Sequence, residues 1–336
     1  MGKKILFIYT NYSTFVKTDF AILSSKHTVA RYQFKPVKGL LKNAHQIFKQ
    51  LIFILLNIRK LDAFFIWFAD YHSFLPVLFA KIFGKKSYVI IGGYDVANIP
   101  ELKYGSLSSP LRKWMTLFAF KNATLCLPVV NNLENQLSEV CSAAKIKTIY
   151  TGYQFNLKEQ NQLSSEREKI ILTISITDSR QRMLIKGLDR FKELAENLPD
   201  YQFYIIGVNE DARALFKPIP ENLILLAPLN QEELISYYLR ASFYAQFSRS
   251  EGLPNALCEA MMYGCIPLGT NIGGIPMAID NLGLVLKEWN YKEAIDFIHK
   301  SHNKLDRAKF SQHIKSNFDL KLREEALLEL FDQNKN

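Results

Sequence analysis

The feature that most constrains the fold of this chain is the regular alternation of short apolar runs with longer segments of helical periodicity. In the first half, the apolar runs predict strands at residues 4–10, 27–34, 62–67, 87–92, 124–130 and 146–150. The segments between them predict helices at residues 37–60, 73–83, 111–121 and 133–144. Strands that alternate with helices at this spacing are typical of βαβ units, in which helices cover both faces of a parallel sheet.

The same alternation restarts after a polar segment at 158–169 that has no apolar periodicity. The second series predicts strands at 170–176, 201–207, 222–226 and 242–247, with helices at 187–197 and 231–240. A chain of 336 residues also exceeds what one core usually serves. We therefore predict an α/β protein with an N-terminal domain at 1–160, a second domain at 161–305 and a helical segment at 306–336. Our hypothesis for this last segment is that it packs back on the first domain.

The balance of charges limits the partners that the chain can have. Its 42 Lys and Arg residues against 32 Asp and Glu residues give a formal net charge of +10, which suits nucleic acid, anionic lipid or a phosphorylated ligand. The basic residues are scattered, and no nucleic-acid-binding motif is found, so we expect no nucleic-acid partner. The segment 37–60 is basic and amphipathic. Two interpretations stay open for it: a helix on an anionic membrane surface, or a helix that packs on the sheet with solvated lysines.

Further features of the sequence bear on its compartment. The chain has four cysteines, Cys126, Cys141, Cys258 and Cys265. They lack CxxC spacing and lie in apolar surroundings, which predicts reduced structural thiols. The first apolar run is too short for a signal peptide, and no segment has the roughly 18 uninterrupted apolar residues of a membrane span. We therefore expect a cytoplasmic protein, with a peripheral position on the inner face of the cell membrane as a further hypothesis.

Two carboxylates in the segment 247–277 mark the candidate site. Glu251 and Glu259 are separated by seven residues; Pro254 suits the first turn of a helix, and Gly264 suits the residue just past its end. The helix N-terminus between the two acids favours an anion such as phosphate. An isolated pair of this kind would more often be two solvated surface acids. In this segment, two acids around a phosphate site suit a ligand with hydroxyls at both ends, such as a nucleotide sugar.

The residues 248–267, followed by Gly-Gly-Ile-Pro at 273–276, resemble the E-x7-E signature of family 4 retaining glycosyltransferases (glycosyl transferases group 1). Upstream, the adjacent Lys186 and Gly187 are similar to the Lys-Gly segment that this family has at a helix start. The strong similarity covers about 170–277, and the N-terminal half matches only in its rhythm. The resemblance implies a GT-B fold, in which two Rossmann-like domains with parallel sheets face each other across an interdomain cleft.

The resemblance also implies a donor site for a nucleoside diphosphate sugar, either UDP- or GDP-linked. Glu259 is expected to hold the ribose hydroxyls, and Glu251 is expected to contact the transferred sugar. Lys186 is expected to neutralise the diphosphate, because a departing nucleoside diphosphate develops negative charge in the transition state. The family usually adds an arginine several residues earlier, and both Arg180 and Arg182 fit, with Arg180 the better by spacing. Residues whose backbone groups would surround the sugar and the diphosphate are Gly252, Leu253, Pro254 and Asn255.

The resemblance implies no bound metal and no cofactor besides the donor, because such cations replace a metal ion in GT-B enzymes. On the N-terminal side the chain departs from the family pattern, since Ile-Gly-Gly-Tyr-Asp-Val stands at 91–96 where many members have a histidine before a glycine. The candidates for the acceptor or sugar side are therefore Gly92, Gly93, Tyr94 and Asp95. Asp95 is expected to face the sugar or the acceptor hydroxyl and to act with Glu251 and Lys186 in catalysis. The glycine pair could equally be only a turn after a strand.

The function implied by the resemblance is transfer of a glycosyl group from a nucleoside diphosphate sugar to an acceptor hydroxyl, with retention. A glycan or lipid-linked acceptor, in the synthesis of cell-envelope, capsular or lipid-linked glycans, is favoured by the basic N-terminal half. Two alternatives stay open. One is a sugar-nucleotide epimerase of GT-B fold, which needs no acceptor. The other is a catalytically inactive subunit that binds the nucleotide sugar, since the N-terminal histidine is missing.

Overall fold

The computed structural model describes residues 2–37, 40–154 and 166–332. The chain divides into two compact units, each built on one parallel sheet. Unit 1 consists of Met1–Gly152 and Leu320–Asn336, and unit 2 consists of Tyr153–Asp319. The boundary expected at 160 lies outside the described residues.

Unit 1 contains a five-stranded parallel sheet. Its strands are β1 (Lys4–Tyr9), β2 (Thr28–Gln33), β3 (Ala63–Trp67), β4 (Lys86–Ile91) and β5 (Leu125–Pro128). The helices that connect and follow them are α1 (Thr14–Lys26), α2 (Leu40–Asn57), α3 (Tyr71–Ile82), α4 (Pro110–Asn122) and α5 (Asn131–Val140). The strand order is β2-β1-β3-β4-β5. Every residue of β3 is buried, which explains its continuous apolar sequence, because helices cover a parallel sheet on both faces.

The strand predicted at 146–150 is wrong. Ile146 forms only an isolated bridge to Cys126, and the remainder joins no ladder. The backbone N–H groups of Lys147 and Ile149 donate to the carbonyl oxygens of Cys126 (3.1 Å) and Pro128 (2.9 Å). Pro128 has no N–H to donate in return, so regular pairing along this edge of β5 cannot continue.

Unit 2 contains a six-stranded parallel sheet. Its strands are β6 (Glu168–Thr177), β7 (Gln202–Val208), β8 (Leu223–Leu226), β9 (Ala241–Gln246), β10 (Ile266–Thr270) and β11 (Leu284–Leu286). Its helices are α6 (Arg180–Ile185), α7 (Leu188–Glu196), α8 (Gln231–Arg240), α9 (Asn255–Met262), α10 (Ile275–Ile279), α11 (Tyr291–Ser301) and α12 (Arg307–Phe318). The strand order is β11-β10-β9-β6-β7-β8, so the direction of winding reverses between β6 and β9. This is the doubly wound order of Rossmann-like sheets.

The C-terminal segment 306–336 is shared between the two units instead of returning to unit 1 as one piece. In unit 2, the guanidinium of Arg307 at the start of α12 is buried and donates to the carbonyl oxygen of Gly264 (2.8 Å). The last helix, α13 (Leu320–Asp332), belongs to unit 1. There Arg323 forms a buried bidentate ion pair with Asp19 of α1 (2.6 and 2.7 Å). These two arginines fix the two helices to different units.

The cysteines are free in the structure, and three of them are buried, namely Cys126, Cys258 and Cys265. Burial raises the pKa of the Cys258 and Cys265 thiols to about 12, which keeps them protonated and unreactive near neutral pH. No helix within the described ranges is long and apolar enough to cross a membrane.

Candidate functional site

The candidate site lies where the two central strands of unit 2 end. β6 leads through α6 to Lys186, and β9 leads directly into the loop that carries Glu251. The Nζ atom of Lys186 lies 2.8 Å from the Oε2 atom of Glu251, and the two side chains are 30% and 12% exposed. Doubly wound sheets bind ligands outside the carboxyl ends of their strands, at the point where the strand order reverses. The structure thus brings two of the predicted residues together where folds of this kind bind ligands.

A polar network inside unit 2 fixes the orientation of the Glu251 side chain. Besides Lys186, its Oε2 atom accepts hydrogen bonds from the Ser248 hydroxyl (3.0 Å) and the Gln246 side-chain amide (3.3 Å). The Gln246 amide also donates to Ser248 Oγ (2.8 Å), and its own oxygen accepts from the Tyr244 hydroxyl (3.2 Å). Among the residues that the structure describes, no donor reaches the other oxygen, Oε1. One oxygen is therefore held by the protein while the other can accept a hydrogen bond from a ligand.

The turn that carries Lys186 is held against the exit of β9. Gly187 has a φ of +67°, and a Cβ added there would lie 1.9 Å from the carbonyl oxygen of Phe247. The backbone N–H of Arg249 donates to the Ile185 carbonyl (2.7 Å). Glycine is required directly after Lys186 because only glycine permits both the backbone angle and the close approach.

A bidentate ion pair reinforces the same contact. The guanidinium of Arg249 binds both carboxylate oxygens of Asp189 in the first turn of α7, at 2.7 and 2.6 Å. It also donates to the carbonyl oxygen of Leu184 (2.5 Å). Since Asp189 and Lys186 belong to one short segment, this pair fixes the position of the lysine relative to the Glu251 loop.

The glycine pair at 273–274 supports the other side of that loop. Gly273 has a φ of +56°, and a Cβ there would lie 2.0 Å from the carbonyl oxygen of Glu251. The N–H of Gly274 donates to the carbonyl of Gly252 (2.8 Å). Close packing against the backbone of residues 251–252 thus explains the glycine at position 273.

The helix expected near Pro254 begins one residue later, at Asn255, and Pro254 is its N-cap residue. The first N–H groups of a helix have no intrahelical acceptor, so those at the start of α9 can bind an anion. Gly252, Leu253 and Pro254 are buried in the loop before the helix. The Asn255 side-chain oxygen accepts a hydrogen bond from the Tyr153 hydroxyl (2.7 Å), which fixes the first residue of α9.

Glu259 lies on α9, and its Oε2 atom accepts a hydrogen bond from the hydroxyl of Tyr238 (3.3 Å). Burial of the Glu259 carboxylate raises its pKa above the usual value, although the bond from Tyr238 opposes this shift. Tyr238 is fully buried between α8 and the sheet, so it offers a rigid donor. The geometry leaves Glu259 as a half-buried acceptor and not as a solvated surface acid.

The two candidate arginines differ in their surroundings. Arg182 forms an ion pair with Asp178 (3.4 Å) and donates to the carbonyl oxygen of Ile176 (3.3 Å). Arg180, the first residue of α6, is exposed and has no ion-pair partner among the described residues. Neither arginine contacts the Lys186–Glu251 pair within the described part of the chain. Because the guanidinium of Arg180 has no such partner, Arg180 is the better candidate to bind the diphosphate with Lys186. This role stays a prediction.

The structure contradicts the expectation that Asp95 faces a sugar or an acceptor. Its carboxylate is fully buried in unit 1 and accepts hydrogen bonds from the backbone N–H groups of Gly92 (2.7 Å), Gly93 (3.2 Å) and Ala69. Burial raises the pKa of Asp95 to about 7, although these N–H groups oppose the shift. Asp95 therefore holds the glycine turn in place, with both of its oxygens occupied.

The hydroxyl of Tyr94, another candidate on this side, is also occupied. It accepts a hydrogen bond from Arg112 Nη1 (2.5 Å), and the same guanidinium forms an ion pair with Asp70 (3.2 Å). Asp70 caps the start of α3, as its side chain accepts from the N–H of Tyr71 (2.7 Å). In unit 1, the polar groups near the glycine turn thus bind one another.

Sequence reasoning missed three residues of the site, namely Gln246, Ser248 and Arg249. A signal for Gln246 was present, because it is a polar residue at the end of β9, a strand that is otherwise apolar and entirely buried. Nothing in the sequence indicated that Arg249 would pair with Asp189, 60 residues earlier. In the described ranges, no group of three or more His, Cys, Asp or Glu side chains is arranged to hold a metal ion.

Comparison with known proteins connects this geometry to a family. Residues 155–316 match the family model of Glycosyl transferases group 1. Comparison with curated protein sequences gave no match. Many solved structures share the fold.

Three of those structures illustrate the likeness. Sucrose-phosphate synthase from Thermosynechococcus elongatus has a TM-score of 0.80 at 13% identity, over 98% of each chain. HepE from Anabaena, in complex with UDP and glucose, has a TM-score of 0.74 at 12% identity, over 98% of this chain and 100% of its own. The lipopolysaccharide outer core galactosyltransferase WaaB has a TM-score of 0.71 at 14% identity, over 98% and 99%. The chain thus has the GT-B fold of these structures, and its segment 155–316 matches the model of glycosyl transferases group 1.

Proposed function

We propose that this protein transfers a glycosyl group from a nucleoside diphosphate sugar to an acceptor hydroxyl, with retention of the anomeric configuration. The observation that carries the proposal is the Lys186–Glu251 pair at the carboxyl ends of β6 and β9, inside the segment that matches the family model. A cation beside a carboxylate with one open oxygen suits a ligand that presents a diphosphate next to sugar hydroxyls. The neighbour of the same fold that is described in complex with UDP and glucose supports this class of donor.

In the proposed complex, Lys186 and Arg180 bind the diphosphate together with the N–H groups at the start of α9. Negative charge grows on the diphosphate as it departs, and fixed cations stabilise it without reorganisation. These cations take the role that a metal ion has in other transferases, so we propose that the reaction needs no metal. Glu251 Oε1 accepts a hydrogen bond from a hydroxyl of the transferred sugar. Backbone groups of residues 252–255 surround the sugar and the diphosphate. Glu259 accepts hydrogen bonds from the ribose hydroxyls at the other end of the nucleotide.

Retention is proposed to follow from attack on the same face of the sugar from which the phosphate leaves. The bond between the anomeric carbon and the phosphate oxygen breaks while the bond to the acceptor oxygen forms. The acceptor proton passes to the departing phosphate oxygen, so no protein base is required. The occupied oxygens of Asp95 are in accord with this scheme, because they leave that carboxylate unsuited to serve as a nucleophile or base.

The acceptor is proposed to be a glycan or a lipid-linked saccharide of the cell envelope. Two neighbours of the same fold support this class: WaaB, and WaaG, a glycosyltransferase involved in lipopolysaccharide biosynthesis. We accordingly propose a cytoplasmic enzyme that works at the inner face of the cell membrane.

The test is a panel of UDP- and GDP-sugars, incubated with and without a lipid extract and a set of saccharide acceptors. The proposal predicts release of nucleoside diphosphate that depends on acceptor and is insensitive to EDTA, with a product whose anomeric configuration by NMR equals that of the donor. A free or isomerised sugar formed without acceptor would instead identify an epimerase. Donor binding without turnover across the acceptor panel would identify an inactive binding subunit.

A further inference from the structure

Exposed apolar side chains are concentrated on one layer of helices in unit 1. Among the described residues, thirteen large apolar side chains are exposed, and eight of them lie on α2, on α4 or at the end of α3. The eight are Phe48, Ile52, Leu55, Leu56, Ile82, Phe83, Leu111 and Trp114. Soluble proteins normally scatter such residues singly over the surface. We call the surface of residues 40–60, 71–86 and 110–122 the α2–α4 face.

The three helices pack side by side. The Gln50 side chain of α2 donates to the carbonyl oxygen of His72 in α3 (2.8 Å). Phe74 of α3 contacts Trp114 of α4, with ring centroids 5.2 Å apart. Lys81 of α3 donates to the side chain of Asn122 of α4 (2.6 Å). The exposed residues therefore belong to one continuous helical layer.

Helix α2 exposes an apolar stripe although it already buries another. The buried positions include Gln50 and Ile54. An exposed stripe, at the helical spacing of four and then three residues, consists of Phe48, Ile52 and Leu55. Beside it, Leu56 is 75% exposed. A surface helix of a globular protein normally has polar residues opposite its buried stripe, so the second stripe is a candidate docking surface.

The charged residues in the sequence of the α2–α4 face are all basic, and one of them, Arg112, pairs with Asp70 just before α3. Residues 40–60, 71–86 and 110–122 contain ten Lys and Arg residues and no Asp or Glu residue. The chain has 42 basic and 32 acidic residues, so the rest is balanced at 32 of each. The whole net charge of +10 thus resides in the sequence of this face. Exposed members with no ion-pair partner among the described residues include Lys49, Arg59, Lys60 and Lys113.

We propose that the α2–α4 face docks on an anionic lipid bilayer. A bilayer surface accepts apolar side chains at the boundary of the acyl chains while its head groups neutralise the surrounding cations. Nucleic acid would take the cations and leave the aliphatic stripe unpartnered. A dimer formed through this face would bring two basic surfaces together, and their like charges would repel. The exposed indole of Trp114 (56% exposed) has the amphipathic character of side chains found at membrane interfaces.

The test is flotation of the full chain with vesicles of phosphatidylcholine, alone or with about one third phosphatidylglycerol. A face variant, Lys49→Glu with Arg59→Glu and Lys60→Glu, is compared with a control, Lys292→Glu with Lys300→Glu and Lys304→Glu, in unit 2. The control residues are also exposed, and both triple variants change the net charge equally. A second variant, Leu55→Ser with Leu56→Ser, removes apolar area without changing charge. Circular dichroism establishes that each variant is folded.

The proposal predicts binding to the anionic vesicles only, weakened at about 0.5 M salt. Each cation near an anionic surface contributes a factor of about five, so the face variant should lose about 100-fold in partition coefficient or more. The control variant should lose far less, and the serine variant should also bind more weakly. Trp114 emission should shift to the blue on binding, and Trp114→Phe should abolish that shift.

Three outcomes would overturn the proposal. The first is no flotation with anionic vesicles at low salt. The second is an equal loss in the face and control variants, which would show a response to net charge alone. The third is a dimer in solution that the Leu55→Ser, Leu56→Ser variant dissociates, since a second copy would then cover the face. Because the readout is vesicle binding, the result does not depend on whether the protein transfers a sugar.

Discussion

Lys186 and Glu251 are 65 residues apart in the sequence, yet the Nζ atom of one lies 2.8 Å from the Oε2 atom of the other. The contact joins the segment after β6 to the loop after β9, and these are the two strands between which the sheet reverses its order. Ser248 and Gln246 hold the carboxylate, and the Gly187 turn holds the lysine. The protein's own contacts thus fix the positions of both side chains.

The first prediction concerns the charge of Glu251. Glu251→Gln retains the shape of the side chain but loses the ion pair with Lys186. It also replaces one of the two acceptor oxygens with an NH2 group, which can only donate. We expect kcat/KM to fall about 100-fold or more, as for the loss of one preorganised electrostatic contact, with little change in melting temperature. Nucleotide release and thermal denaturation measure the two effects. Glu288→Gln, at an exposed acid of the same unit, is the control, and equal activity in both variants would contradict the assignment.

The second prediction concerns backbone packing beneath Lys186. Gly187 and Gly84 both have positive φ angles, of +67° and +62°, but only Gly187 is crowded, by the carbonyl oxygen of Phe247. Gly84→Ala should lower the unfolding free energy by about 1 kcal/mol, the cost of the backbone angle alone. Gly187→Ala adds a steric clash with backbone and should lower it by about 3 kcal/mol or more. Denaturant titration of the two variants measures both values, and equal costs would show that the close approach is unimportant.

The third prediction concerns the pair formed by Arg249 and Asp189. The side chains are about one third exposed, so we expect a coupling free energy of only about 1 kcal/mol in a double-mutant cycle with Arg249→Lys and Asp189→Asn. The more exposed pair of Lys169 and Asp200 should give less than about 0.5 kcal/mol and serves as the reference. Asp189→Asn should also weaken donor binding, because the turn of Lys186 is then less firmly held. Unchanged donor affinity in a folded Asp189→Asn variant would refute this positioning role.

The fourth prediction concerns the raised pKa of Glu259. If the Glu259 carboxylate accepts hydrogen bonds from the ribose hydroxyls, its ionised form binds the donor. The affinity for the donor should then fall as the pH decreases through the raised pKa of Glu259. A nucleotide sugar is the correct probe, since its diphosphate lacks the terminal phosphate ionisation near pH 6. Calorimetric titration from neutral pH downwards should show this decline for the wild type and a flat, weaker profile for Glu259→Gln. Identical profiles in the two proteins would place the ribose elsewhere.

Much of the fold followed from patterns that span a few residues. The capped start of α8 is one case: Asn230 accepts from the N–H of Glu233 (3.0 Å), and the Glu233 carboxylate accepts from the N–H of Asn230 (2.8 Å). Local chemistry decides such a feature, so the sequence is sufficient. The strand predicted at 146–150 failed because its partner strand contains Pro128, and pairing between distant segments is not encoded in the apolar pattern of one of them.

The candidate site, like the fold, was predictable only where neighbouring residues in the sequence carry the signal. Glu251 and Lys186 were selected because their neighbours resemble a known signature; the structure places them in contact, and their roles stay predictions. Asp95 was misjudged because a carboxylate beside two glycines suggests an open ligand site, whereas burial and three backbone donors make it part of the turn. The sequence gives the type of a polar residue but not whether the protein itself satisfies its hydrogen bonds.

The central claim is that Lys186 binds the diphosphate of a nucleotide sugar, beside Glu251, which contacts the transferred sugar. Its most direct test is calorimetric titration of the wild type and Lys186→Met with UDP and GDP, and with the corresponding nucleosides. We predict that one of the two nucleotides binds the wild type, and that Lys186→Met raises its Kd about 10-fold or more while the Kd of the nucleoside changes less than about twofold. The matched Lys292→Met variant should bind like the wild type. Absence of binding by both nucleotides, or an equal effect of Lys186→Met on nucleoside and nucleotide, would contradict the claim.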